Sequence, residues 1–102
     1  MKASELIQRI KSNSAPVIID ARSGFEFQRS HIPGAIHAPI LKILLKRARL
    51  PENKNSELVI TCEHGPRALM AKCLLAAYGY RNTTLLDGHM LGWRRSGLPL
   101  EK

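Results

Sequence analysis

Aromatic side chains are scarce, at 5% of 102 residues. A core must therefore be built from Leu, Ile, Val and Ala, and the 44% hydrophobic content is enough for one at this length. Cysteine is equally sparse, with only Cys62 and Cys73. Two such thiols make no disulfide framework. No CxxC and no Cys/His spacing suited to zinc appears, so neither a metal nor another cofactor is expected. No apolar run approaches the roughly 18 residues of a membrane span. The first residues, MKASELIQRIKSNS, lack the continuous apolar stretch of a secretory leader. A reducing, cytoplasmic setting is the expectation.

Negative charge is the other shortage. Eight acids face sixteen Lys and Arg, for a net charge of +8. That excess serves as a solvated face, or it draws in a small anionic substrate or an acidic partner protein. Nucleic acid is not expected, because no aromatics interleave with the basic residues. No repeat, low-complexity tract or linker interrupts residues 1–102, which read as one domain with a monomer as the default.

Apolar letters at Ala3, Leu6, Ile7 and Ile10 predict a helix over 3–11. VIID, after Pro16, predicts a buried strand over 16–20. ARSGFEFQRSH reads as a short helical piece anchored to the core by Phe25 and Phe27. The pair Pro33-Gly34 marks a turn, and AIHAP a second strand. ILKILLKRARL predicts a basic amphipathic helix over 40–50. ELVIT predicts a strand over 57–61 that runs straight into Cys62, and PRALMAKCLLAAYGY a helix over about 66–78 ending at Gly79. TTLL is a further strand and DGHMLGWRRSG a last short helix. Strands alternating with helices predict a doubly wound parallel α/β sheet of four to five strands, with helices on both faces. Ligands bind such sheets at the carboxyl ends of the strands, where Cys62 lies.

The stretch TCEHGPRA carries the chemistry. The first turn of a helix leaves its N–H groups free, Gly65 lets the chain curl tightly, and Pro66 suits the first helical position. The helix dipole and Arg67 add positive charge there. A cysteine facing converging donors gains thiolate character, and a persulfide or a small oxyanion suits the same cradle. The competing reading of Cys62 is a small buried apolar group, a common place for cysteine.

Three quoted stretches resemble the rhodanese family. VIIDARSGFEFQRSHIPGAIHAPI resembles its first signature, with Asp-x-Arg, Glu-Phe and a His-Ile-Pro-Gly-Ala turn. LVITCEHGPRA resembles its active-site strand and loop, and AAYGYRNTTLLDGHMLGWRRSGLPL its closing signature. Together they span nearly the whole chain, in the family's order. The resemblance implies a sulfurtransferase-type fold in which Cys62 carries a transferable sulfur. It also implies that Glu63, His64, Gly65, Pro66 and Arg67 form the substrate cradle. Glu63 departs from the basic or neutral polar residue many active members carry. A carboxylate there repels thiosulfate and opposes ionisation of Cys62. His64 offers a base, but a thiolate held by amides needs none; it remains a group that tunes charge near pH 6 to 7.

Asp20 and Arg22 fall just past the first strand, as loop-holding residues or as positive potential at the pocket mouth. Glu26 is placed to pair with Arg22 four residues earlier. His31, His37 and Trp93 read as structural, and Cys73 as a buried apolar group. Lys42, Lys46, Arg47 and Arg49 share one helix, as a solvated face or as a dock for an acidic sulfur-carrier protein. Three functions compete. The first is sulfur transfer through a Cys62 persulfide, from thiosulfate or a persulfide donor. The second is phosphatase or arsenate-reductase chemistry, disfavoured because cysteine phosphatases space Cys and Arg by five residues and this chain by four. The third is a carrier or regulatory module that ignores small donors.

Overall fold

The computed structural model describes residues 1–102. Its elements, in chain order, are α1 (Ala3–Lys11), β1 (Val17–Asp20), α2 (Gly24–Arg29), β2 (Ile36–His37), α3 (Ile40–Leu44), β3 (Leu58–Thr61), α4 (Pro66–Ala77), β4 (Thr83–Leu85) and α5 (His89–Arg95). Four strands form one parallel sheet in the order β2-β1-β3-β4. The expected doubly wound architecture is present, at the lower end of the expected strand count.

Alternation along the strands divides the core in two, because successive side chains point to opposite faces. Ile19, Leu58, Ile60 and Cys62 face a cluster completed by Ile43 of α3 and by Ala68, Ala71 and Leu75 of α4. Ile18 and Val59 face a second cluster with Leu6 and Ile7 of α1 and Met90 and Trp93 of α5. A fully buried side chain of this size contributes about 1.5–3 kcal/mol of transfer free energy. Trp93 is wholly buried and donates its indole N–H to the Pro99 carbonyl at 2.8 Å, which satisfies the ring's one polar atom.

Three expectations need correction. The helix expected over 40–50 stops at Leu44, and Lys46 takes a left-handed φ of 56°. Ala48 and Leu50 still pack on the core, but from a loop. Phe25 does not anchor α2: it is 74% exposed, and no residue of that helix is fully buried. Phe27 instead stacks on His31, with ring centroids 3.9 Å apart. Cys73 is exposed rather than buried.

β1 and β3 pair in register, with Asp20 beside Thr61. The chain therefore leaves both central strands at one edge. Asp20, Ala21 and Arg22 emerge beside Thr61, Cys62 and the loop that follows.

Candidate active site at Cys62

Cys62 is fully buried at the carboxyl end of β3. Its Sγ accepts the Gly65 N–H at 3.0 Å. Gly65 reaches that position with φ 129° and ψ −40°, a conformation open to glycine and strained for other residues. Pro66 then starts α4 without a free N–H. One amide, Gly65's, meets the sulfur. The base of the loop is tied to α5, since Met90 N–H donates to the Cys62 carbonyl at 3.0 Å and Leu91 N–H to that of Glu63 at 3.3 Å.

The charged residues around the loop are paired in an order that local spacing does not give. Arg22 is only 3% exposed and grips Asp20, which is fully buried; its Nε lies 3.0 Å from Oδ1 and its Nη2 2.8 Å from Oδ2. The same Nη2 donates to the Ser30 carbonyl at 2.6 Å, so Arg22 ties the strand end to the chain beyond α2. Glu26 does not pair with Arg22. It reaches across the loop to Arg67, with Oε1 2.6 Å from Nη1 and Oε2 3.0 Å from Nη2. It also completes a capping box with Ser23 at the start of α2. The Arg67 hydrogen bonds, more than any other cause, hold the Glu26 carboxyl down to about 2, and Glu26 in turn raises Arg67.

Glu63 does not face the sulfur unopposed. It is bound by Arg94 of α5 through both guanidinium Nη atoms and lies 3.7 Å from Arg22. The Arg94 hydrogen bond pulls its carboxyl below the ordinary range. A polar recess beside the loop is lined by Arg22, Glu26, Arg29, Ser30, Glu63 and Arg94. His64 is exposed on the loop. His37 meets the Arg22 carbonyl at 2.8 Å and His31 that of Phe27 at 2.9 Å, so both act within the scaffold.

One residue at the loop escaped the sequence reading. The Nδ1 of His89, at the start of α5, lies 3.4 Å from the Cys62 amide nitrogen, and burial pulls its imidazole below the usual pKa. The only local signal was a histidine after Gly88, 27 residues from the cysteine.

A parallel α/β sheet with a cysteine loop opening a helix at its carboxyl edge is the architecture of a sulfurtransferase-type domain. Residues 2–96 match the rhodanese-like domain family, and the chain belongs to that family. It is 30% identical over 98 residues to a sulfurtransferase of Allochromatium vinosum, covering 96% of this chain and 90% of that protein. The human single-domain sulfurtransferase TSTD1 has the same fold, with a TM-score of 0.78 and 26% identity across 93% of this chain and 94% of that one. A putative sulfur carrier protein of Bacillus subtilis, YrkF, is 29% identical over 84% of this chain, which spans 45% of its length.

Proposed function

We propose that the protein transfers sulfane sulfur through a persulfide on Cys62. The observation that carries this is the Gly65 N–H aimed at Sγ from a loop closed by a helix start, which stabilises negative charge on sulfur. In the first step the Cys62 thiolate attacks the outer sulfur of the donor. An Sγ–S bond forms, the donor S–S bond breaks, and the leaving group departs with the electron pair, as sulfite from thiosulfate or as a thiolate from a persulfide. In the second step an acceptor nucleophile takes that terminal sulfur, and Cys62 leaves as thiolate. The cycle is covalent catalysis and follows ping-pong kinetics.

The pairing of the guanidiniums favours a persulfide donor over thiosulfate. Arg22, Arg67 and Arg94 each face a carboxylate, so only Arg29 of the adjoining recess is left unpaired to attract a dianion. A protein donor or acceptor suits the surface formed by α3 and α4. Leu44, Leu69 and Met70 are each about half exposed and line one apolar recess with Ile40, Cys73 and Leu74. No acid occurs between Glu26 and Glu52 or between Glu63 and Asp87, while Lys42, Lys46, Arg47 and Lys72 fall in those spans. An acidic sulfur-carrier protein complements an apolar recess carried on these acid-free, cation-rich stretches. A reducing, cytoplasmic compartment suits this chemistry, which needs Cys62 as a free thiol. The alternative, a carrier that does not turn over small donors, is supported by the same pairing and by the likeness to a putative sulfur carrier.

Intact mass after incubation with thiosulfate, and separately with glutathione persulfide, tests this on the native protein and on Cys62→Ser. A gain of one sulfur in the native protein alone, discharged by cyanide, is the expected result. Loading by the persulfide but not by thiosulfate selects the carrier-type donor. No gain with either donor overturns the proposal.

A further inference from the structure

His89 occupies a costly backbone conformation. Its φ is +52°, and it follows Gly88 at +76°, so two successive residues lie in the left-handed region. Glycine enters that region freely, whereas a residue with a Cβ does so at a cost. Strain of this kind persists where surrounding contacts enforce it, and it gathers at functional sites. Here the strained turn swings the imidazole under the Cys62 loop.

Both ring nitrogens face the loop. Nδ1 lies 3.4 Å from the Cys62 amide nitrogen, which donates to it, and 3.5 Å from Thr61 Oγ1. On the other side, Nε2 and Cδ2 stand 3.1 and 3.4 Å from where a Cβ on Gly65 would lie. The ring therefore spans the gap between the cysteine backbone and the residue whose amide holds the sulfur. Because the Cys62 N–H is a donor, Nδ1 must be the unprotonated nitrogen, and the proton sits on Nε2. An imidazolium would set one N–H against another and break the contact.

We propose that His89 is a positioning residue for the Cys62 sulfur: its neutral imidazole accepts the Cys62 N–H, fills the space behind Gly65, and so holds the loop in the shape that aims the Gly65 amide at Sγ. This deepens the sulfur-transfer reading and rests on it for its catalytic meaning. The groups that face or flank the imidazole set its charge. Asp87, two residues earlier, favours the proton, but its carboxylate is shared with the Met1 ammonium at 3.7 Å. His64 on the loop disfavours it. Glu63 is engaged by Arg94 and Arg22. Thr61 adds an uncharged hydroxyl 3.5 Å from Nδ1. Burial is the largest influence and opposes the proton, pulling the ring below the usual imidazole range and so favouring its neutral form.

Two substitutions separate positioning from mere support. Asparagine tolerates the left-handed region, offers an acceptor oxygen and does not titrate. Glycine relaxes the backbone and offers no acceptor. Each is made in a Cys73→Ser background, and two rates are read from pH 5 to 8: sulfur loading from glutathione persulfide, and alkylation of Cys62 by iodoacetamide, mapped by mass. Melting temperatures confirm folding. His89→Gly is expected to stay folded and slow both rates about three- to tenfold at pH 7.5, the worth of one hydrogen bond. His89→Asn is expected to keep the rates at pH 7.5, and the ratio of the His89 protein's rate to the Asn variant's is expected to fall below pH 6.5. Unchanged rates in a folded Gly variant, or a flat ratio across the range, would overturn the proposal. If no sulfur loads but alkylation still follows His89, the functional reading fails while the positioning role stands.

Discussion

Replacing Glu26 by Gln tests whether Arg67 is withheld from anions. The two oxygens of Glu26 sit 2.6 and 3.0 Å from the Arg67 guanidinium. Gln keeps one carbonyl oxygen for the Ser23 amide, so the start of α2 survives. The pairing holds the Glu26 carboxyl at about 2, against 4.5 when unpaired. Without solvent screening that gap corresponds to about 3 kcal/mol. Both side chains are about a third exposed, so solvent screening leaves about 1 kcal/mol. A carboxyl with a depressed folded pKa stabilises fully above its unfolded value and loses that contribution as pH falls through its folded value. The native protein should thus lose this increment between pH 4.5 and 2, and Glu26→Gln should lack it throughout. At pH 7 the variant should melt about 4–8 °C lower. The effect on substrate runs the other way. One negative charge on the order of 8 Å from a bound dianion, at an effective dielectric near 40, costs about 2 kcal/mol, which salt reduces to about 1. The KM for thiosulfate should therefore fall about fivefold, measured with cyanide as acceptor. A KM that is unchanged or higher, together with the drop in melting temperature, would show that Arg67 does not serve the anion and would refute this account of donor preference.

Two further outcomes are expected. Asp20→Ala strands the buried Arg22 guanidinium without its carboxylate and should lower stability by about 3–5 kcal/mol, read from the urea midpoint; a loss under 1 kcal/mol would mean that Ser30 and Glu63 suffice to hold Arg22. A bulky maleimide should label exposed Cys73 in the folded protein well before fully buried Cys62, with the order read by peptide mass; equal rates would mean that the loop opens freely.

The scaffold was legible because its signals are local. β-Branched runs at VIID and LVIT, punctuated by Pro16 and by the Gly65-Pro66 pair, fix the two central strands and the start of α4. Burial on α4 was not legible, because apolar residues lie all round it. Ala68, Ala71 and Leu75 turn inward at spacings of three and four, which puts Leu69, Met70 and Cys73 on the open side. In ILKILLKRARL the apolar pattern outlasts the helix, since Leu50 reaches the core from a loop after Lys46 has ended helical geometry. At the site, the contiguous loop from Cys62 to Arg67 could be read from its glycine, proline and helix start. The contacts that govern its charge could not. Glu26 reaches Arg67 across 41 residues and Glu63 reaches Arg94 across 31, while the spacing rule pointed Glu26 at Arg22. Spacing rules describe neighbours on one element, and these pairs join different elements at the sheet edge.

Those pairings also locate the net charge. Three guanidiniums at the carboxyl edge are each taken by one of Asp20, Glu26 and Glu63, which leaves Arg29 as the guanidinium of the adjoining recess without a carboxylate. The +8 excess lies elsewhere, and the stretches carrying α3 and α4 hold lysines and arginines without a single acid. A field from that side falls off within about a Debye length, roughly 8 Å at physiological salt. It acts on a partner broad enough to lie across α3 and α4, and much less on a three-atom-wide anion entering beside Glu63. Sequence composition alone left a small anion and an acidic protein as equal beneficiaries of the charge. The placement of three carboxylates supports the proposed protein donor, because it weakens the attraction beside the sulfur and leaves the cations of the α3 and α4 stretches without acids.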